Sequence, residues 1–157
     1  MKIKFVVVGK TIEKYLQHGE KEYIDRLKHY CKTEYQTISE LKNAKNMSVE
    51  QIKEREGELI LSSVEGCDLV VLLDEGGTIY SSEGFAEYVE KLAVRGLREV
   101  AFVVGGAYGF STKVYERAQG KLSLSRMTFS HQMVRLLFLE QLYRAHTIIK
   151  GQPYHHR

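Results

Sequence analysis

The last seven residues, Gly151–Arg157, combine side chains that act on bases, protons and phosphates. They include Tyr154, His155 and Arg157. An aromatic ring can stack on a nucleic-acid base, an imidazole exchanges a proton near neutral pH, and a guanidinium pairs with phosphate. Chain ends are often frayed, so an unstructured terminus is the alternative interpretation of the same residues.

Three charged residues precede this segment, on a stretch that has the apolar spacing of a long helix. They are Arg135, Glu140 and Arg144. Glu140 and Arg144 stand four residues apart, which pairs opposite charges on a helix surface, so an ordinary solvated helix also explains them. The helix is apolar over much of its circumference, which predicts a second covering surface such as a dimer interface.

Two loops have the composition of a small-molecule site. Gly105–Gly109 follows a predicted buried strand, and its glycines permit positive φ and close approach of a ligand. Leu124–His131 interleaves polar and apolar residues, and its hydroxyls and backbone groups could hold an adenosine or a methionine moiety. Neither a dinucleotide fingerprint nor a phosphate-loop motif is present, so NAD and ATP are disfavoured. A plain strand-to-helix turn and a helix start capped by Thr128 or Ser130 remain open for these loops.

Ten alternating elements are expected to position these residues. The expected strands are Lys2–Val8, Glu34–Ser39, Asp68–Leu73, Glu99–Val104 and Lys121–Ser125. The expected helices begin near Thr11, Ser48, Ser81 or Ser82, Ser111 and His131, and the last one ends near Lys150. Alternating strands and helices predict an α/β fold with a mostly parallel sheet flanked by helices. Such sheets bind ligands beyond the carboxyl ends of their strands, where Asp74–Gly77, Gly105–Gly109 and Leu124–Phe129 all fall.

The bulk composition predicts one globular domain over residues 1–157. Hydrophobic residues make up 43% and charged residues 27%, as in ordinary folded domains rather than disordered chains. The apolar runs are too short to span a membrane. Cys31 and Cys67 lie far apart without a CxxC pair, so free thiols in a reducing compartment are expected rather than a disulfide or a metal site. We expect a cytoplasmic protein with no membrane and no metal partner.

The net charge of +3 hides a difference between the two parts of the chain. Residues 110–157 hold eight basic and two acidic residues, a net charge of +6, so residues 1–109 carry −3. A basic part in so small a chain indicates a polyanionic partner for that part.

Eight short motifs occur in a fixed order along the whole chain. They are Lys2–Lys10, Leu72–Asp74, Phe102–Gly109, Leu124–Thr128, His131, Val134-Arg135, Leu139–Ala145 and Pro153–His155. In order and spacing they resemble the SPOUT-class methyltransferases, and within them the small bacterial RlmH type. Each motif is weak by itself, and the match becomes specific through their combination.

The resemblance implies an activity, a fold and an assembly. Proteins of the RlmH type methylate N3 of a pseudouridine in a hairpin loop of large-subunit (23S) ribosomal RNA, with S-adenosylmethionine as the methyl donor. The family fold contains a deep trefoil knot in its C-terminal part, and the family works as a homodimer packed through helices of the knot region. We therefore expect a homodimer that acts on ribosomal RNA, in the context of the assembled ribosome.

The resemblance also assigns residues to the cofactor. The S-adenosylmethionine site maps onto Leu73, Gly105, Leu124, Ser125, Arg126, Met127, Thr128 and Phe129. A cation close to the sulfonium is unfavourable, so the Arg126 side chain is expected to point away from the donor.

Methylation of N3 requires that its imide proton be accepted and the resulting anion stabilised. The candidates for these catalytic roles are His155, Tyr154, Glu140 and Arg144, with Tyr154 also able to stack on the target base. The candidates for RNA contacts are Arg135, His131 and Arg157.

Two other functions remain open at this point. An RNA-binding module with a degenerate cofactor site would not bind S-adenosylmethionine. A flavodoxin-like nucleotide-binding enzyme would use the glycine turn for phosphate, and its activity would not depend on RNA.

Overall fold

A computed structural model of the chain describes residues 1–156, which form five strands and five α-helices in alternation. The strands are β1 (Lys2–Val8), β2 (Lys32–Ile38), β3 (Leu69–Ile79), β4 (Glu99–Val104) and β5 (Gly120–Ser123). The helices are α1 (Lys14–Leu27), α2 (Val49–Ser63), α3 (Ser82–Val94), α4 (Thr112–Arg117) and α5 (Met133–Ile149). A 3₁₀ turn at Ala44–Asn46 precedes α2.

The five strands form one sheet in the order β2-β1-β4-β3-β5, and every pairing is parallel. One apolar cluster joins the sheet to α1, α3 and α5, and a second joins its other face to α2 and α4. β1 and β4 lie inside the sheet and carry mainly buried apolar residues, as expected for strands covered on both faces. The α/β fold class predicted from the sequence is confirmed.

Local signals placed several element ends correctly. β4 has the predicted bounds Glu99–Val104. Ser48 and Gln51 form the predicted capping box at α2, and the hydroxyls of Ser81 and Ser111 accept hydrogen bonds from the first turns of α3 and α4. Both cysteines are free, as expected.

The predicted end of β3 at Leu73 is wrong. The strand continues through Gly76 and Gly77 to Ile79, with a shift in its pairing to β5 between Leu73 and Thr78. A Cβ atom on Gly77 would lie 2.6 Å from the backbone nitrogen of Leu122. The glycine therefore allows two strands to approach closely, whereas its local sequence resembled a turn.

The start of α1 also differs from the prediction. The helix begins at Lys14. Its N-cap residue is Glu13, whose side chain makes no capping hydrogen bond, and Thr11 does not cap the helix. The Thr11 hydroxyl instead donates to Glu20 and accepts from Arg135, which is 124 residues away in sequence. α5 begins two residues later than predicted and β5 ends two residues earlier. No helix among the described residues is long and apolar enough to cross a membrane.

Candidate functional site

A cavity of about 510 Å³ opens at the carboxyl ends of β4 and β5, beside the middle of β3. Its walls come from Leu73–Glu75, from the turn after β4 and from the loop after β5. The parallel sheet brings these three segments to one edge, which is where ligands of such sheets bind. The volume falls in the usual range for sites of small molecules and cofactors.

Seven of the eight residues predicted to hold a cofactor line this cavity. They are Leu73, Gly105, Leu124, Ser125, Met127, Thr128 and Phe129. The eighth, Arg126, is exposed and does not belong to the lining. His131, expected to contact RNA, is part of the cavity wall.

The charged side chains of the wall are acidic. Asp74 and Glu75 line the cavity, and among the described residues no Lys or Arg does so. The Asp74 carboxylate accepts hydrogen bonds from the Gly76 backbone N–H at 2.8 Å and from the Tyr115 hydroxyl. Burial, reinforced by the bond to Asp74, raises the pKa of Tyr115 to about 12, so this phenol remains a donor. The cavity therefore favours a ligand with positive charge.

Behind the glycine turn lies a carboxylate that local sequence did not reveal. A Cβ atom on Gly106 would lie 2.6 Å from Glu56 Oε1, so the turn packs directly against α2. Burial and the nearby Glu40 raise the pKa of Glu56. No sequence motif links positions 56 and 106, because the contact exists only once α2 covers the sheet.

A second group of polar side chains forms where the C-terminal segment meets α5 and α3; we call it the α5 cluster. It consists of Glu83, Glu140, Arg144, Tyr154 and His155. Arg144 Nη2 lies 2.5 Å from Glu140 Oε1, and the Tyr154 hydroxyl donates to the same oxygen at 2.9 Å. His155 joins Arg144 through Nδ1 and Glu83 through Nε2, each at 3.0 Å. The structure thus brings together all four residues predicted to be catalytic and adds Glu83.

Burial holds the Tyr154 phenol in its protonated form. Its pKa is raised chiefly by desolvation and further by hydrogen bonds with Tyr23 and Glu140. The Arg144 guanidinium lies over the Tyr154 ring, 4.8 Å from its centroid, and the hydrogen bond to Glu140 raises the pKa of Arg144. Tyr154 is therefore a hydrogen-bond donor with one ring face already covered by a cation.

The α5 cluster and the cavity are separate in the single chain. None of Glu140, Arg144, Tyr154 and His155 lines the cavity. A smaller hollow of about 240 Å³ shares Leu124 and Phe129 with the cavity and extends to Gln141, whose side chain donates to Glu140 at 3.0 Å. Gln141 is thus a polar link between the two regions.

The prediction that Arg135 contacts RNA requires correction. Arg135 is fully buried, and its guanidinium donates to the carbonyls of Val8 and Gly9 at 2.8 Å and of His131 at 3.0 Å. A fourth bond reaches Thr11 at 3.1 Å. A buried guanidinium engaged in this way has no surface for phosphate, so Arg135 joins α5 to the end of β1. Arg157, also predicted to contact RNA, lies outside the described residues.

A parallel sheet with a cavity at its carboxyl edge is typical of α/β proteins that bind small molecules. A family model described as predicted SPOUT methyltransferase matches residues 1–155. The chain therefore belongs to the SPOUT methyltransferase family, as the sequence motifs predicted, and this family uses a methyl donor.

Curated relatives match over the whole chain. A protein of Christiangramia forsetii is 58% identical over 157 residues, and one of Flavobacterium johnsoniae is 52% identical, each covering 100% of both chains. Both are named ribosomal RNA large subunit methyltransferase H.

Solved structures share the fold at low sequence identity. A probable methylase family protein from Haemophilus influenzae has a TM-score of 0.59 at 14% identity, covering 99% of this chain and 70% of that one. A probable methyltransferase from Bordetella pertussis has a TM-score of 0.54 at 11% identity, with coverages of 91% and 95%.

Proposed function

We propose that this chain transfers a methyl group from S-adenosylmethionine to N3 of a pseudouridine in large-subunit ribosomal RNA. The full-length relatives named ribosomal RNA large subunit methyltransferase H support the reaction and the kind of RNA. The observation that carries the proposal is the acidic cavity at the carboxyl ends of β4 and β5, beside the middle of β3.

The cavity residues fit S-adenosylmethionine better than a nucleotide phosphate. When bound, this donor supplies a methyl group on a positively charged sulfonium. Asp74 and Glu75 would attract such a cation and repel phosphate, and no Lys or Arg among the described wall residues opposes them. Leu124, Met127 and Phe129 supply apolar surface, and Ser125 and Thr128 supply hydroxyls.

The α5 cluster provides the polar groups that N3 methylation needs. The pseudouridine N3 must lose its proton, and the anion that forms needs a positively charged or hydrogen-bonding neighbour. Glu140 and His155 are the candidates to take the proton, and Arg144 is the candidate to stabilise the anion. Tyr154 would position the base. His131, in the cavity wall, is a further candidate for contact with the RNA.

A second copy of the chain is the natural way to bring an α5 cluster to a cavity. Apolar residues of α5 remain half-buried in the single chain, among them Met133, Leu136 and Leu137, and Ile12 and Tyr15 nearby are 72% and 62% exposed. Association through α5 would cover these side chains. We propose a homodimer whose site uses the cavity of one protomer and the α5 cluster of its partner.

Two further expectations belong to this proposal. As a member of this family, the chain is expected to have a trefoil knot in its C-terminal part. A chain with so modest a basic surface would find its target hairpin within the ribosome in the cytoplasm, where ribosomal proteins and RNA form the rest of the binding surface.

Transfer of tritiated methyl groups to ribosomes that lack the modification tests the proposal. We expect incorporation into large-subunit RNA and its loss when the donor is omitted. An RNA-binding module with a degenerate site would bind ribosomes without incorporation, and calorimetry would detect no S-adenosylmethionine binding. If no methyl groups were incorporated into free RNA, large subunits or whole ribosomes, the proposed enzymatic activity would be refuted.

A further inference from the structure

His155 is held from both sides of its ring. Nε2 lies 3.0 Å from Glu83 Oε1, and Nδ1 lies 3.0 Å from Arg144 Nη1. Glu83 comes from the first turn of α3 and Arg144 from α5, so two helices of the same layer hold the residue. The His155 side chain is 14% exposed, which leaves little room for water to replace either partner.

The chemistry of the two partners determines where the His155 proton lies. A guanidinium only donates hydrogen bonds, so Nδ1 must accept from Arg144 and carries no hydrogen. A carboxylate only accepts, so Nε2 must carry the hydrogen that it donates to Glu83. The contacts are therefore satisfied together by a single state of the ring, the neutral Nε2–H tautomer.

We propose that Glu83 is a positioning residue that fixes His155 in this tautomer and thereby orients the Arg144 guanidinium. This inference rests on the proposed function of the α5 cluster and assigns a role to a residue that the motifs did not include. In this arrangement, the lone pair of Nδ1 is engaged by the hydrogen bond from Arg144. His155 then serves to orient Arg144, and Glu140 becomes the candidate proton acceptor.

A pair of substitutions separates the hydrogen bond from the charge of Glu83. Glu83→Ala removes the acceptor, and we expect kcat for methyl transfer to fall about 10-fold because small displacements of catalytic groups are costly. Glu83→Gln keeps an acceptor oxygen, and we expect most of the loss to be recovered. The S-adenosylmethionine Kd should stay within about twofold in both variants, because Glu83 does not line the cavity.

Glu87→Ala is the matched control, because Glu87 is an exposed residue one turn further along α3. It should leave kcat unchanged. A loss in Glu87→Ala as large as that in Glu83→Ala, or full activity in Glu83→Ala, would overturn the inference. A different result would refute the proposed catalytic role of the α5 cluster itself, namely full methyl transfer by Arg144→Ala and His155→Ala.

Nitrogen NMR of the His155 ring tests the tautomer without any activity measurement. Spectra of ¹⁵N-histidine protein, assigned with His155→Gln, report which ring nitrogen carries the hydrogen. We expect the Nε2–H form at neutral pH. The Nδ1–H form or a doubly protonated ring would overturn the inference, even if Glu83→Ala lost activity.

Discussion

At the residue scale, the structure gives Arg135 a different role from the one predicted from the sequence. Its position in a basic segment favoured an RNA contact, yet its side chain is buried and bonded to the backbone of β1. Nothing local predicts this, because its acceptors Val8 and Gly9 lie more than 120 residues away. The guanidinium also bonds the carbonyl of His131, so it helps to set one wall of the cavity.

Replacement of Arg135 by Lys should destabilise the fold. Lys keeps the positive charge but lacks the planar guanidinium with its several N–H donors. The backbone carbonyls of Val8 and Gly9 would therefore lose their hydrogen-bond donors. We expect a loss of about 3 kcal/mol in the free energy of unfolding, measured with urea. Arg126→Lys, on the exposed loop, should cost almost nothing. If Arg135→Lys were as stable as wild type and weakened RNA binding instead, the structural role would be wrong.

His146 should make the stability of the protein depend on pH. Burial, with a smaller contribution from Lys150, lowers its pKa to about 4 from an ordinary 6.5. The unfolded state therefore takes up a proton at a higher pH than the folded state does. The stability held by the neutral ring is complete above about pH 6.5 and is lost progressively toward pH 4.

The expected contribution of His146 is a loss of about 2 kcal/mol between about pH 7.5 and about pH 5. Urea unfolding at both values should show this slope in wild type and a reduced slope in His146→Gln. His29→Gln, at an exposed position, serves as the control. Equal slopes in wild type and His146→Gln would contradict the buried neutral ring.

At the element scale, the sequence predicted what depends on near neighbours. The β4 bounds and the Ser48 capping box follow from local patterns, and both are confirmed. The predicted cofactor residues also lie together, because a parallel sheet necessarily gathers the ends of its strands. The predicted end of β3 was wrong for the opposite reason. Gly77 is needed for a close contact with β5, and β5 lies more than 40 residues further along the sequence.

Gly77→Ala should separate β3 from β5. The added methyl group would meet Leu122 backbone nitrogen at 2.6 Å, and a backbone cannot move aside cheaply. We expect a loss of more than about 2 kcal/mol in the free energy of unfolding. Gly120→Ala is a matched control on the facing strand, because its neighbours lie at 3.8 Å or more. A Gly77→Ala protein as stable as Gly120→Ala would show that the strands tolerate a wider spacing.

At the scale of the whole molecule, the structure revises the charge difference seen in the sequence. Of the basic residues in the C-terminal part, Arg135 is buried and Arg144 is paired with Glu140. The Arg144–Glu140 pair already adds nothing to the net +6, whereas the buried Arg135 counts toward it without being an exposed charge. The exposed surface of the C-terminal part is therefore less basic than the sequence indicated, which supports the proposal that the ribosome supplies part of the binding surface.

The proposed homodimer predicts a sedimenting mass of twice that of one chain. Leu137→Glu would place a charge on the half-buried apolar side of α5, and we expect it to shift the protein to monomer and to reduce methyl transfer at least 10-fold. Val94→Glu, at a side chain that is 81% exposed, is the control and should remain dimeric. A monomeric wild type with full activity would refute the shared site.

The bonds made by Arg135 have a consequence for how the protein is made. Their acceptors at Val8, Gly9 and Thr11 are synthesised more than 120 residues before Arg135. Such long-range contacts form late, after the intervening chain has been ordered. The cavity, whose wall includes His131 and Val134, can therefore be completed only after this part of α5 has been synthesised. A nascent chain that carries only the first four strands would lack the proposed site for the methyl donor.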